Sequence, residues 1–241
     1  MKQVWMVFIA LLSMVSCKSS IEELNTEPIS AYFPLKPGKY IIYKCDSTVF
    51  TNLGTRKEVH SYKVKYTVDA RITDNLGRDA YRIIRSISPL TANSFQNDNT
   101  AVAVNTGNSL EFIENNLRFV KLQLPIRDGF TWQGNSFIDT RSATSPNTHL
   151  DNWNYTYTDV AKPYKVDTAT YQNTITVEEQ DYSIYYPGPP PVPYKLVKSK
   201  AVYAKGIGLI SREFLFTLFQ QQGSYYEDGS YGITLKMIEH N

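Results

Sequence analysis

Between Tyr62 and Ile72 the chain alternates residue by residue. In YKVKYTVDARI, Tyr62, Val64, Tyr66, Val68, Ala70 and Ile72 share one parity, and Lys63, Lys65, Thr67, Asp69 and Arg71 share the other. A strand turns successive side chains to opposite faces, whereas a helix repeats every 3.6 residues. A period-two run of this length predicts a strand with one apolar face. TDNLGRD follows, rich in turn formers, and the chain returns as AYRIIRSIS, so residues 62–88 read as one long hairpin. TAVAV and SLEFI flank the turn NTGN, and LRFVKLQL follows ENN. NTITVEEQDYSIYY and YKLVKSKAVYA flank a proline-rich loop. LISREFLFTLFQQ and YGITLKMIE come last. The pattern predicts about ten strands and no helix longer than two turns.

Composition agrees with that pattern. Eighteen tyrosines and 13% aromatic residues fit a pleated surface better than a helix bundle. Long strands, short turns and one polar face predict a single large curved antiparallel sheet, a half-open or closed barrel, with a β-sandwich as the alternative. No internal repeat or break in composition divides residues 32–241, which read as one β domain.

The N-terminus follows another pattern. Val4 to Val15 is mostly apolar, then the chain turns polar after Cys17. Crossing a bilayer takes about 20 apolar residues, so the run is too short to span. Lys2, the apolar stretch and small Ser16 have the layout of a secretory signal over residues 1–16. Met14-Val15-Ser16-Cys17 resembles the bacterial lipobox Leu-(Ala/Ser/Val)-(Gly/Ala)-Cys, with Met14 in the place of Leu. The resemblance implies a diacylglyceryl group on the Cys17 thiol, cleavage before Cys17 and acylation of the new amine. Acyl chains in that number anchor a protein durably. They are the only attached group expected, with no other cofactor. Residues 17–31 read as a polar tether to the membrane. Lys18 stands where the familiar inner-membrane retention signal has Asp, which favours the outer membrane. Glu22-Glu23 loosely resembles the charged export signals of Bacteroidota surface lipoproteins.

Charge narrows the partners. Residues 1–16 hold Lys2 as their one charged residue, so 24 basic side chains face 23 acidic ones in the remainder. A near-neutral chain without a Lys or Arg run has no electrostatic case for nucleic acid. With Cys17 acylated, Cys45 has no cysteine to pair with. Its strand parity with Ile41, Tyr43 and Val49 predicts a buried, inert thiol.

YFPLKPGKYIIYKCDS (residues 32–47) and VYAKGIGLISRE (residues 202–213), with LRFVKLQLPIRDGFTWQGN between them, carry a wider resemblance. Together they are similar to a broad, mostly uncharacterised set of secreted lipoproteins, many from Bacteroidota. In these, Phe-Pro-Leu-x-x-Gly opens the first strand and Gly-(Ile/Val)-Gly-Leu-(Ile/Val) opens a late one. Tyr40 stands where the set has Trp. The resemblance implies an envelope location and a β fold, and brings no catalytic residue. Pro34 and Pro37 precede the first strand, where a missing N–H costs nothing, and Gly206 and Gly208 permit a bend or a close approach.

Candidate chemistry is sparse. His60, His149 and His240 are not at metal-ligand spacing, so no metal site is expected. No nucleophile elbow, HExxH or phosphate loop occurs. Asp74 to Asp79 puts Leu76 and Arg78 where an EF-hand loop needs oxygen ligands, so it reads as a hairpin turn. Glu178 and Glu179 are adjacent on a strand and point to opposite faces. WNYTY sets Trp153, Tyr155 and Tyr157 on one face, and Trp132 lies between two glycines. Exposed, these four rings are platforms for a sugar face or an apolar ligand; buried, they are ordinary core. The loop YYPGPPPVPY places Tyr186 and Tyr194 around Pro189, Pro190 and Pro191, whose polyproline II geometry makes a stiff tip. It reads as a partner-binding finger or a rigid loop. Asp46-Ser47-Thr48 and Asp167-Thr168-Ala169 match a short Bacteroidota O-glycosylation pattern, with Thr168 the better placed.

The reading is a lipid-anchored envelope protein of the outer membrane, not an enzyme. Its domain is a binding or accessory module for a glycan, lipid or envelope partner. Exposure of Trp132 and Trp153 in a shared cleft would support that role. A lipid or lipoprotein carrier would show an apolar cavity without a polar floor. A hydrolase would need two carboxylates, or a His and a nucleophile, in one pocket.

Overall fold

Strand pairing follows the chain with few departures. The computed structural model describes residues 26–241. β1 (Tyr40–Thr51), β2 (Arg56–Thr73), β3 (Asp79–Pro89), β4 (Gln96–Asn105), β5 (Ser109–Glu114) and β6 (Leu117–Gln123) form one antiparallel meander. β7 (Thr131–Gln133), β8 (Asn154–Val166), β9 (Ala169–Tyr186), β10 (Val192–Ala204), β11 (Gly208–Gln220) and β13 (Tyr231–His240) form a second. The two-residue β12 (Tyr225–Tyr226) pairs only with β11. The meanders join where β1 pairs with β13, with Cys45 opposite Leu235.

That order leaves β6 and β7 as the two edges of the sheet, although they are neighbours in sequence. Twist and coiling bring the edges together, since an unpaired edge leaves backbone groups unsatisfied. Val120 N donates to Gly134 O at 2.8 Å, and Trp132 Nε1 donates to Val120 O at 2.8 Å. The sheet is thus nearly closed into a barrel, with a short seam because β7 has only three residues. One continuous sheet replaces the sandwich alternative.

Gly134 accepts this seam bond and has no room for a side chain. A Cβ there would lie 2.4 Å from the Tyr155 ring. Gly134→Ala is expected to destabilise the barrel by about 1–3 kcal/mol, the range of core overpacking. The shift of the urea unfolding midpoint measures it.

The expected tether, residues 17–31, is too long. Residues 17–25 lie outside the described residues, as do the signal segment, Cys17, Lys18 and the Glu22-Glu23 pair. From Thr26 onward the chain is packed on the barrel. Thr26 Oγ1 accepts from Ile126 N at 2.9 Å, and Glu27 pairs with Lys205 at 2.5 Å. A single helical turn, α1 (Ile29–Tyr32), buries both Ile29 and Tyr32. One turn is too short to show a helical period in sequence.

β8 and β9 outrun the barrel. Bulges between Thr158 and Lys162, with left-handed backbone at Asp159 (φ 52°), Ala161 (φ 60°) and Asn173 (φ 53°), bend their hairpin. Val166 packs with Val202, Ala204 and Ile210 of β10 and β11. Asp167 Oδ1 accepts from Lys236 Nζ of β13 at 2.7 Å. Since β10 and β11 lie between β9 and β13, the tip folds across the outside of the sheet.

Candidate functional site

The inward faces of three strands each carry one charge among apolar neighbours. On β9, Glu179 shares its parity with buried Ile175 and Val177. On β11, Arg212 shares its parity with buried Phe214 and Phe216. On β6, Lys121 lies between buried Val120 and Leu122. Barrel curvature brings the three together. Lys121 Nζ donates to Glu179 Oε1 at 2.8 Å, and Ser199 Oγ donates to Glu179 Oε2 at 2.6 Å. Arg212 Nη2 stands 3.8 Å from Glu179 Oε2. Tyr155 Oη lies 3.4 Å from Lys121 Nζ and donates to Asn135 Oδ1 at 3.1 Å.

The side chains of Lys121 and Glu179 keep 8% and 1% of their exposure. Arg212 keeps 29% although it is deep in the barrel, because it lines an internal cavity. One anion thus serves two cations. Burial alone would raise the Glu179 carboxyl, but the Lys121 and Arg212 charges outweigh it and leave its pKa lowered. Burial pushes the Lys121 ammonium down to about 8, with Glu179 offsetting only part of that. Burial also opposes the charge on Arg212, and Glu179 prevails there, so its pKa is raised.

The Lys121 shift has a sign that can be tested. Its proton leaves the folded protein near pH 8 but leaves the unfolded chain only near the ordinary 10.5. Between those values the unfolded chain binds more protons, so this group's contribution to stability rises with pH. The unfolding free energy of wild type, less that of Lys121→Met, is expected to grow from pH 8 to pH 10. Urea titrations at each pH measure it.

Above the ion cluster the cavity holds about 90 Å³ of free space. Tyr66, Ile83, Phe112, Leu209 and Leu235 wall it, and Lys121, Glu179 and Arg212 form its floor. A second carboxylate on the wall, Glu114, accepts from Tyr66 Oη at 3.3 Å. The mouth is made by the two stretches that carry the lipoprotein resemblance. Phe33 and Pro34 come from the first stretch, and Ile207 and Gly208 from the second. Gly206 N donates to Ala31 O at 2.7 Å, which ties the second stretch to the α1 turn just before the first. Gly206 (φ 79°) and Gly208 (φ 120°) take backbone conformations that suit glycine. The Phe33 ring lies edge-on to Phe112 and Tyr203, each at 6.3 Å.

The four aromatic residues expected as a platform are core. Trp132, Trp153, Tyr155 and Tyr157 keep 6%, 2%, 0% and 0% of their exposure. Trp153 Nε1 donates to His149 O at 3.0 Å, and Tyr157 Oη donates to Gln123 O at 3.0 Å. A stacking platform needs an open ring face, which barrel closure removes. Trp132 and Trp153 therefore share no open cleft. The proline-rich tip is exposed at Pro189, Pro190 and Pro191, at the end of the barrel opposite the mouth. The Pro189–Pro190 bond is cis, unlike the trans repeat of polyproline II. At its base Tyr186 and Tyr194 pack together at 5.5 Å, and Tyr186 Oη donates to Phe219 O at 3.2 Å.

Thr168 is exposed at the β8–β9 tip, whereas Asp46, Ser47 and Thr48 lie within β1. Cys45 is buried, and burial pushes its thiol up. His60 and His240 are exposed on β2 and β13, and His149 packs on Phe216. Among the described residues no three His, Cys, Asp or Glu side chains converge as metal ligands, and no helix is long and apolar enough to cross a membrane. Asp74 Oδ1 accepts from Leu76 N and Arg78 N, each at 2.9 Å, and closes the β2–β3 hairpin. Glu178 and Glu179 do face opposite ways, since Glu178 pairs with Lys200 on the outer face.

No sequence motif marks Lys121, Glu179 and Arg212. Their signal was a charge at inward parity in an otherwise apolar strand face, visible for Glu179 and Arg212 once strand parity is assigned.

No family model matches the sequence, and no curated protein matches it. Among solved structures, a Bacteroides fragilis protein assigned as exported, with a YmcC-like fold, aligns at a TM-score of 0.31 and 10% identity. The alignment covers 86% of this chain and 99% of that one.

Proposed function

We propose that this protein is a lipid-anchored protein of the cell envelope whose barrel is a non-catalytic binding module. Acyl chains on Cys17 hold it in the outer membrane, and the mouth cavity takes in a small molecule. The cavity carries this reading, because its apolar walls stand over a charged floor, the polarity of a small-ligand site, although its free space of about 90 Å³ takes only part of a ligand. The aromatic platforms no longer support a glycan role. The polar floor also departs from what a bulk lipid carrier needs.

Two carboxylates line the cavity, yet neither is poised for proton transfer. Both Glu179 oxygens are occupied, and the charges around it hold it ionised. Glu114 is engaged by Tyr66. Lys121, the remaining titratable group of the floor, is bonded to Glu179, which supports a role in holding charge in place. The near-neutral charge gives no electrostatic case for a nucleic-acid partner.

Calorimetry with 1-decanol tests the cavity. Ala201 lines it opposite Arg212, so Ala201→Leu fills it. Binding to wild type and its loss in folded Ala201→Leu are expected; equal binding to both would sink the cavity reading. Fractionation of cells tests the anchor. Cys17→Ala is expected to move the protein from membrane to soluble fraction, and a variant still as firmly bound would overturn the lipoprotein assignment.

A further inference from the structure

Among the described residues the Arg212 side chain makes no hydrogen bond. Its Nε is fully buried without a partner, and its nearest anion, Glu179 Oε2, is 3.8 Å away and already bonded to Ser199. Other arginines beside buried carboxylates are better served. Arg78 reaches Glu111 at 3.0 and 2.9 Å, and Arg118 reaches it at 2.8 Å. The rest of the Arg212 guanidinium lines the cavity, where no acceptor among the described residues bonds it, so its open Nη donors can take an acceptor from a ligand.

We propose that Arg212 receives the carboxylate of a single-chain amphiphile, whose apolar tail leaves the barrel through the mouth between Phe33 and Ile207. This deepens the binding-module reading and rests on it. A carboxylate presents two oxygens in one plane, the match for a guanidinium fork. Lys121 sits beside it as a second cation, and Glu114 is kept on the wall by Tyr66. The free space of about 90 Å³ fits a headgroup and its first carbons but no sugar ring. For scale, a dry cavity of about 150 Å³ takes one benzene ring. A longer chain must therefore run out past Leu209, Ile207 and Phe33, which are apolar.

The direction of the mouth supports a membrane source. Thr26 docks on the β6–β7 loop at the mouth end of the barrel. An anchor on Cys17 would hold that end within about 30 Å of the bilayer, the reach of nine extended residues.

The test compares decanoate, 1-decanol and decyltrimethylammonium by calorimetry on the mature full-length protein, with Arg212→Met and Arg212→Lys. Decanoate is expected to bind wild type at least about tenfold tighter than decanol, as a charge-assisted bond requires. The cation is expected not to bind. Arg212→Met is expected to lose the preference while still binding decanol, and Arg212→Lys to keep part of it. If Arg212→Met does not fold, Arg212→Lys and the carboxyl carbon-13 shift of labelled decanoate decide. The bound carboxylate is expected to stay ionised at pH values where free decanoate protonates. Equal affinities for decanoate and decanol, a preference that survives Arg212→Met, or a bound carboxyl that titrates like the free acid would overturn the assignment and leave the cavity reading standing. Binding of neither ligand would sink both.

Discussion

Glu179→Leu is expected to cost about 3–5 kcal/mol of stability, enough to unfold a marginal barrel. The leucine itself is not the cause. Removing the carboxylate strands Lys121 and Arg212 in the barrel without their shared counter-ion, and leaves Ser199 Oγ without its acceptor. Replacing all three charges is expected to behave differently. Lys121→Met, Glu179→Leu and Arg212→Met together remove the desolvation cost along with the attraction, so most of the lost stability should return. Urea unfolding curves with unchanged slope would measure both variants. A triple variant as unstable as Glu179→Leu alone would show that packing around Glu179, not its charge, is what the site needs. A stable triple variant that no longer prefers decanoate would show the cluster is kept for binding.

Trp132→Ala is expected to cost a similar amount, about 3–5 kcal/mol, through the cavity it leaves. It also has a local signature. Trp132 joins the two sheet edges through its bond to Val120 O and packs on Tyr157 at 4.6 Å. Val120 N is itself bonded to Gly134 O across the seam. Hydrogen exchange at Val120 is therefore expected to accelerate in Trp132→Ala beyond the global loss of stability. Trp153→Ala should destabilise comparably without that local effect, since its indole bonds His149 O away from the seam. Trp132→Phe keeps a ring and loses one hydrogen bond, so about 1 kcal/mol is expected. Equal protection of Val120 in the two alanine variants would mean the seam does not depend on Trp132.

The β2–β3 hairpin was readable because every clue to it is local. Alternation from Tyr62 to Ile72, the Asp74 turn and the return strand lie in adjacent residues. The adjacent Glu178 and Glu179 had to face apart for the same reason. Aromatic function was less readable. Trp132 and Tyr155 have the same sequence signature on an open sheet or inside a closed barrel, and burial separates the two cases. Ile29 to Ala31 look like tether in the sequence because a single turn is too short to show a period.

The chain by itself determined most of the strands, their hairpins and side-chain parity between bulges, since these follow from neighbouring backbone and side-chain sterics; bulges such as the one between Val68 and Ala70 reset that parity. Tertiary structure decided the rest. Lys121 and Glu179 are 58 positions apart, and nothing in either strand says which inward face it will meet. That depends on β1 pairing with β13 and on the curl that brings β6 to β7. Those pairings join distant residues, so the cavity, its mouth and its charged floor exist only once the sheet has closed.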